Sequence, residues 1–387
     1  MGTPVPFPRA EDVDLSRPSA DETQHIAEGF AAAAAPVGGL TSVQRMLIEA
    51  LAPAMTDHEV DVEAFRPVTP DGYAARLALR DQEFRARNVQ VMVLLALVLR
   101  PLPKDVVERV AEFARALSVD DAMIEVAGRF ASGSLGLAAL DFERNGYTAE
   151  WEPADASELH TSKELAGAWD LAVADPELAG RWAGLGALPD GTLGKELWQL
   201  YRSRGFVFPG RPGSAPPFLA QHDWVHVVAD YGTTVECELE VFAFISRAND
   251  DLRAFSLLAM VISLFETGYL NRGAGLFESD LGHLSAGRDV PVRLADAMRR
   301  GAFCHDRVSG AESIDFLRID WFELAALPVE EVRDRFNVVA KSEAARAAGS
   351  IGPQEPGGIS EFQRDAGAAL AEREGRTYES YGASVTR

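Results

Sequence analysis

The sequence predicts an all-α protein in which a helical domain with a two-helix metal site follows a separate helical bundle. Apolar residues recur at helical spacing through most of the chain, and Pro and Gly interrupt these segments where helices commonly end. Two histidines and two acids also lie on consecutive predicted helices. Of the 387 residues, 47% are hydrophobic, which is enough to bury the cores of two compact units.

The amino-terminal segment, residues 1–39, is predicted to be a flexible lead with a short helix. It is rich in Pro and acidic residues and has little apolar periodicity. Its alanine run, residues 31–35, ends at Pro36 and is followed by two glycines, a typical helix stop. We therefore expect folded structure to begin around Leu40.

Residues 40–150 are predicted to form an amino-terminal helical bundle. An apolar stripe begins at Val43, a long and largely apolar segment covers residues 81–100, and residues 120–142 continue the helical pattern. The bundle faintly resembles the tellurite-resistance B-type helical domains, a likeness that carries no functional motif. A scaffold or docking bundle is the expected role.

The second unit is predicted to span residues 151–340 and to be followed by a flexible tail, residues 341–387. Helical periodicity fades where the two units meet. Within the second unit, residues 195–204 predict a helix that Gly205 ends. The tail is rich in Ala, Gly, Glu and Pro, and we expect one weak helix in it, near residues 359–374.

Charge and cysteine content restrict the partners and the compartment. The chain has 59 acidic against 37 basic residues, a net charge of -22, which disfavours nucleic acid as a partner. Cys237 and Cys304 are too few for a disulfide framework and too isolated for a thiolate zinc site. The amino terminus lacks the basic-then-apolar order of a secretory signal, and the longest apolar stretch, residues 91–99, is far shorter than the roughly 20 residues of a spanning helix. We expect a cytoplasmic protein, with at most peripheral contact at the inner membrane face.

Two histidines, His222 and His226, lie on the apolar side of one predicted helix, residues 218–229. At positions i and i+4 their rings can converge on one ion. Asp223 lies about 100° around the helix axis from His222 and one turn from His226. These three residues form a natural half-site for a metal.

The other half-site lies on the next predicted helix, which Thr233 and Glu236 start with capping-box spacing. Glu238 falls within the apolar stripe of this helix, whereas Glu236 and Glu240 point elsewhere. A lone carboxylate on an apolar face costs roughly several kcal/mol unless it is paired or binds a cation. A hairpin of the two helices would bring Glu238 to the histidines, and two imidazoles with two carboxylates suit zinc, manganese or ferrous iron.

Other interpretations of these residues are weaker. Each histidine could be a hydrogen-bonded core residue, with Glu238 paired to one of them. Such hydrogen bonding would be the favoured explanation for a single inward histidine, but two histidines together with two acids favour a metal site. A zincin-type peptidase is disfavoured, because Asp223 replaces the glutamate that acts as general base in that motif. Three further histidines are isolated and are interpreted as surface or hydrogen-bonded residues: His160, His283 and His305.

His222, Asp223 and His226 form the order His-Asp-x-x-His, and Glu238 follows after eleven residues. This arrangement resembles the metal signature of the coenzyme Q biosynthesis protein four family. The resemblance covers about residues 165–340. Flanking segments that also match are residues 188–194, 320–323, 327–328 and 331–333.

This resemblance implies an all-helical protein that binds a divalent metal, commonly zinc, through His222, Asp223, His226 and Glu238, and that has a hydrophobic cavity for a prenyl-type lipid. It implies either oxidative decarboxylation of ring carbon one of a prenylated hydroxybenzoate, a ubiquinone precursor, or a noncatalytic lipid-binding scaffold for a biosynthetic enzyme complex. A mainly apolar predicted helix, residues 254–270, could line such a cavity, although a buried core helix is the favoured interpretation.

Two positions depart from the usual pattern of the family. Asp230 stands where glycine usually follows the second histidine by four residues, and Cys237 stands where glycine often precedes the last acid. Either residue could change the charge of the site or add a ligand. A third function, metal-dependent hydrolysis, would need a spare group beside a metal-bound water, and Glu236, Glu240 and Asp230 are the only candidates close in sequence.

Overall fold

The computed structural model of the chain describes residues 3–99, 103–119, 174–212, 214–215, 219–249, 258–259, 261–262 and 289–382. Across these ranges the regular secondary structure consists of α-helices and short 3-10 turns, without a β-strand. This confirms the predicted all-α class. The predicted boundary near residue 150, residues 120–142, most of residues 254–270, His160 and His283 lie outside the described residues.

Five helices occupy the described amino-terminal part of the chain. Helix α4 is buried along almost its whole length, and the buried residues include the polar side chains of Arg85, Arg87, Asn88 and Gln90. Helices α1, α2 and α5 pack against it. The five helices are α1 (Ala20–Ala34), α2 (Ser42–Thr56), α3 (Pro70–Arg76), α4 (Gln82–Leu97) and α5 (Lys104–Ala116).

The amino-terminal lead differs from the expected flexible segment with a short helix. Helix α1 has 15 residues and buries Ile26 and Phe30 completely. The buried guanidinium of Arg85 donates hydrogen bonds to the carbonyl oxygens of Val5 and Pro6, at 2.8 and 3.0 Å. The packed structure therefore begins well before residue 40, because an apolar stripe and a buried cation both anchor this segment.

Nine helices follow in the described remainder of the chain. Helix α7 ends at Gly205, whose φ of +71° is the left-handed conformation common just after a helix, so the helix predicted over residues 195–204 is confirmed. None of the described helices combines the length and apolar character needed to cross a bilayer. The nine are α6 (Pro176–Gly184), α7 (Leu193–Arg204), α8 (Gln221–Val228), α9 (Val235–Ala248), α10 (Val290–Ala302), α11 (Trp321–Leu324), α12 (Val329–Arg335), α13 (Glu343–Ala347) and α14 (Glu361–Arg373).

Helix α10 packs against both α9 and α2. The guanidinium of Arg299 on α10 donates to the carbonyl oxygen of Pro53 on α2, at 2.9 Å. Similarly, Arg87 on α4 donates to the carbonyl oxygen of Asn249 at the end of α9, at 3.3 Å. Residues of the predicted amino-terminal bundle thus contact residues of the predicted metal-binding domain directly.

The carboxy-terminal segment contains α14 where one weak helix is predicted, but it packs against the rest of the protein instead of forming a flexible tail. Gly367 lies so close to Ser203 that a Cβ atom at position 367 would clash with the Ser203 carbonyl group. Gln363 is completely buried, and its Nε2 donates to the carbonyl oxygen of Thr233 at 2.9 Å. This docking depends on polar and close backbone contacts, which hydrophobic periodicity does not reveal.

Candidate metal centre

Helix α8 and helix α9 contact each other and are joined by a short loop. The chain leaves α8 through Asp230, whose φ of +62° is left-handed, and the Tyr231 amide donates to the His226 carbonyl oxygen at 3.0 Å. Asp adopts this conformation more readily than most residues with a side chain. The left-handed turn after α8 can therefore accommodate Asp230.

The beginning of α9 differs from the predicted capping box. The helix starts at Val235 with Thr234 as its N-cap, and no side-chain capping hydrogen bond is formed there. Thr233 instead accepts a hydrogen bond from Nε of Arg204 at 3.1 Å and donates to Oε1 of Gln363 at 2.8 Å. The capping-box prediction was wrong because tertiary partners on α7 and α14 engage the hydroxyl.

His222, His226 and Glu238 come together in the structure as the hairpin predicts. Their potential ligand atoms all lie within 4.8 Å of one another. Oε2 of Glu238 is 3.5 Å from Nε2 of His222 and 3.3 Å from Nε2 of His226. All three side chains are completely buried. The described residues therefore include a buried two-histidine, one-glutamate group suited to a metal ion.

Backbone carbonyl groups orient both imidazole rings of this group. Nδ1 of His222 contacts the carbonyl oxygen of Leu219, and Nδ1 of His226 is 2.8 Å from that of Gly232. Because a carbonyl oxygen can only accept, each Nδ1 carries the hydrogen. In a neutral ring Nε2 then has a lone pair, and both Nε2 atoms face Glu238. This is the orientation that carbonyl partners commonly impose on metal-binding histidines.

Glu238 has no ordinary hydrogen-bond partner among the described residues, at either carboxylate oxygen, and the same holds for Nε2 of His226. Burial alone would raise the pKa of Glu238, but the two adjacent imidazoles hold it below its usual value. If one imidazole were protonated at Nε2, the Nε2 lone pair of the other would still face the negatively charged carboxylate, which is unfavourable. A divalent cation could bind both imidazoles and neutralise the buried carboxylate at once.

Asp223, the fourth predicted ligand, lies at the edge of this group and not within it. Its Oδ1 is 3.5 Å from Nε2 of His222, and its Oδ2 accepts a hydrogen bond from the hydroxyl of Tyr201 on α7. The 100° rotation between successive helix positions turns Asp223 toward α7. The structure therefore brings together three of the four predicted ligands.

Tyr201 is a residue of the site that the sequence analysis missed. It lies on α7, 22 positions before Asp223, and is completely buried. A buried tyrosine hydroxyl usually has a hydrogen-bond partner, so a tyrosine on the apolar side of a helix is a signal that some polar group lies nearby. Only the packing of α7 on α8 identifies that group as Asp223.

The neighbouring groups that could have added a ligand point away from the histidines. Glu240 pairs with Arg293 at 2.6 Å, and the Asp230 carboxylate lies 3.5 Å from Nζ of Lys341. The thiol of Cys237 accepts a hydrogen bond from Arg293 at 3.6 Å, and burial raises its pKa to about 11. His305 is a hydrogen-bonded residue as expected, with Nδ1 3.1 Å from the Phe303 carbonyl oxygen.

The segments that flank the histidine signature meet each other beside α8. The amide of Leu193 donates to the Leu327 carbonyl oxygen at 2.9 Å, and the amide of Val329 donates to that of Gly191 at 3.0 Å. Arg333, in the downstream segment, donates to the carbonyl oxygens of Val227 and Val228, at 3.0 and 2.9 Å. These segments thus support the carboxyl end of the helix that carries both histidines.

In the part of the chain that the structure describes, the protein is all-helical and has a buried group of two histidines and one glutamate that could bind a metal ion. Comparison of the chain with protein-family models, with curated proteins and with solved structures found no match in any of the three.

Proposed function

We propose that this protein binds one divalent metal ion through His222, His226 and Glu238, and that it acts on a prenylated aromatic acid of the kind used in ubiquinone biosynthesis. One observation carries the metal proposal: two imidazole Nε2 atoms face a completely buried carboxylate that has no hydrogen-bond partner among the described residues. The substrate class comes from the resemblance of the histidine signature and of the flanking segments that meet beside α8.

The donor set fits zinc, which the resemblance favours, and also manganese or ferrous iron. When bound, such an ion supplies positive charge that polarises a substrate carboxylate or phenol oxygen. The protein's part is to hold the donors and to exclude water. The carbonyl groups of Leu219 and Gly232 orient the rings, and Phe242 stacks on His222 with ring centroids 5.1 Å apart.

The identity of the metal separates two forms of the reaction. Simple decarboxylation breaks the bond between the ring and the carboxyl carbon, releases carbon dioxide and leaves an electron pair on ring carbon one, which takes up a proton. Oxidative decarboxylation replaces the carboxyl with a hydroxyl group, and consumes dioxygen, two protons and two electrons from a donor while releasing carbon dioxide and water. Zinc has no redox chemistry and could not itself activate dioxygen for the oxidative form, whereas iron or manganese in this site could.

A second candidate is a noncatalytic lipid-binding scaffold in which the metal is structural. The complete burial of the three donors favours this role, because structural metal sites are closed and catalytic sites keep an open position. Asp223 would then be the fourth ligand. In this case removal of the metal should unfold the α8–α9 region, whereas a catalytic metal should leave the helical structure largely intact.

The test is elemental analysis of the purified protein and of two variants on α9, with mass spectrometry of copurified lipids. We expect about one divalent metal per chain in the wild type and in Glu236→Ala, and less than about a tenth of that in Glu238→Ala. Glu236 is a matched control, since it is an acid two positions away on the same helix and lies outside the donor group. A Glu238→Ala protein with full metal content would refute the metal proposal.

The lipid fraction tests the substrate class independently of the metal. A copurified polyprenyl aromatic acid or phenol would support it. Turnover of a synthetic prenylated hydroxybenzoate, measured as released carbon dioxide, would then separate the enzyme from the scaffold. A metal-loaded protein that neither retains nor converts such a compound would contradict the proposed substrate while leaving the metal site standing.

A further inference from the structure

The ring of Tyr201 is held in one place at the edge of the metal group. It is completely buried on α7. Three aromatic rings surround it, with centroids 5.0 to 5.6 Å from its own: Trp182, Phe206 and Phe208. Because these contacts restrict the ring, the position of its hydroxyl group is defined before any ligand binds.

The two carboxylate oxygens of Asp223 have different surroundings, because the Tyr201 hydroxyl group bonds to only one of them. It donates a hydrogen bond to Oδ2. The other oxygen, Oδ1, is the one that lies 3.5 Å from Nε2 of His222 and so faces the donor group. A carboxylate can bind a metal through one oxygen or through both. In this arrangement one of the two is engaged by a protein donor.

We infer that Tyr201 is a positioning residue that makes Asp223 present only Oδ1 to a metal held by His222, His226 and Glu238. The inference rests on the proposed function, since it assumes that a metal binds there. Its consequence is a limit on coordination: an Asp223 that offers one oxygen leaves room at the metal for a substrate oxygen or water, which a carboxylate bound through both oxygens would occupy.

The hydrogen bond from Tyr201 to Asp223 is of a strong kind, and its loss should therefore weaken metal binding. A hydroxyl that donates to an ionised carboxylate makes a charge-assisted bond, which is about twice as strong as one between neutral groups. Loss of a residue that orients a ligand in this way typically weakens metal binding by about 10 to 100-fold. Replacement of Tyr201 by Phe removes the hydroxyl and retains the aromatic packing.

The test uses Co²⁺ as the probe, because its visible absorption reports the number and kind of its ligands. Metal-free wild type, Tyr201→Phe and Tyr378→Phe are titrated with Co²⁺, and the absorption band and the dissociation constant are recorded. Tyr378→Phe is a matched control: it removes a hydroxyl that donates to the Ser203 carbonyl oxygen at 3.1 Å, near the end of the same helix. We expect the control to match the wild type, and Tyr201→Phe to bind about 10 to 100-fold more weakly with a changed band.

A double-mutant cycle asks whether Tyr201 acts through Asp223. If it does, Asp223→Ala and Tyr201→Phe/Asp223→Ala should bind Co²⁺ with the same affinity and the same band, because Asp223→Ala has already removed the acceptor of the Tyr201 hydroxyl. An unchanged band and affinity in Tyr201→Phe, or in Asp223→Ala, would overturn this inference while the metal proposal stands. A wild-type protein that binds no Co²⁺ would overturn both.

Discussion

Glu240 accepts a hydrogen bond from Arg293 at 2.6 Å, and this pair lies on the face of α9 opposite to Glu238. Both Glu240 and Glu238 are buried, and they are two positions apart. Glu240 is neutralised by a cation from α10, whereas Glu238 faces two imidazoles. Among the described residues, Glu240 thus has an arginine partner, whereas the ion-pair partners of Glu238 are the two imidazoles.

Replacement of Arg293 by Met should destabilise the protein by roughly 3 to 5 kcal/mol, because Glu240 would remain buried without its partner. Urea unfolding would measure the change. The double variant Arg293→Met/Glu240→Met should recover much of the loss, since an apolar pair replaces the ion pair, and metal content per folded chain should equal that of the wild type. An Arg293→Met protein as stable as the wild type would show that the pair does not neutralise a buried charge.

Asp230 allows a test of the left-handed turn between the two metal-bearing helices. Asp230→Gly and Asp230→Ala both remove the carboxylate that faces Lys341, so the lost ion pair cancels between them. The difference that remains is the cost of a Cβ atom at a φ of +62°, and the glycine variant should be more stable by about 1 kcal/mol. Equal denaturation midpoints for the two variants would contradict the assigned backbone conformation.

Two glycines within helices should respond to alanine with opposite signs. A Cβ atom at Gly367 on α14 would clash with the backbone of Ser203, so Gly367→Ala should lower the free energy of unfolding by about 1 to 3 kcal/mol. A Cβ atom at Gly180 on α6 meets nothing within 4 Å, so Gly180→Ala should raise it by about 0.5 to 1 kcal/mol. Thermal unfolding would measure both, and a neutral or stabilising Gly367→Ala would argue against the docking of α14 on α7.

The pair of Asp306 and Arg335 predicts a pH dependence of stability. Hydrogen bonds from Arg335, at 3.0 and 3.1 Å, hold the pKa of Asp306 well below its usual value. A depressed carboxyl pKa stabilises the folded state above the unfolded-state pKa of about 3.9, and the contribution is lost as the pH falls below that value. Asp306→Asn should therefore be less stable than the wild type at pH 7, by about 1 kcal/mol for a partly exposed pair, and this difference should shrink as the pH falls from about 4 to about 2.

Melting temperatures at the two pH values would measure this convergence. Asp334→Asn, an exposed acid on α12 beside Arg335, is the control and should change stability little at either pH. A difference between wild type and Asp306→Asn that stays constant across the range would mean that the ion pair contributes nothing.

Local patterns account for what the sequence analysis predicted correctly. The i and i+4 spacing of His222 and His226, and the place of Glu238 in an apolar stripe, depend only on helical periodicity. The end of α7 at Gly205 and the bounds of α14 likewise follow from nearby residues. Features that depend only on residues within about one or two helical turns could therefore be predicted from the sequence alone.

Contacts between distant segments account for what was missed. Thr233 does not cap α9 because its hydroxyl oxygen accepts a hydrogen bond from Arg204, 29 positions earlier, and its hydrogen is donated to Gln363, 130 positions later. The amino-terminal lead and the carboxy-terminal segment looked flexible by composition, yet Arg85 and Gln363 anchor them through hydrogen bonds to backbone carbonyl groups. Hydrophobic periodicity cannot predict hydrogen bonds of this kind between side chains and distant backbone carbonyl groups.

By itself, the sequence determined that the chain is helical and that two histidines and one glutamate lie on the inner faces of consecutive helices, because side-chain direction along a helix is set by residue number. Only the tertiary structure decided that Asp223 stands at the edge of the group, held by Tyr201, and that Glu240 pairs with Arg293 while Glu238 faces the two imidazoles. Those outcomes depend on which helix packs against which, and such packing brings together side chains that no local spacing connects.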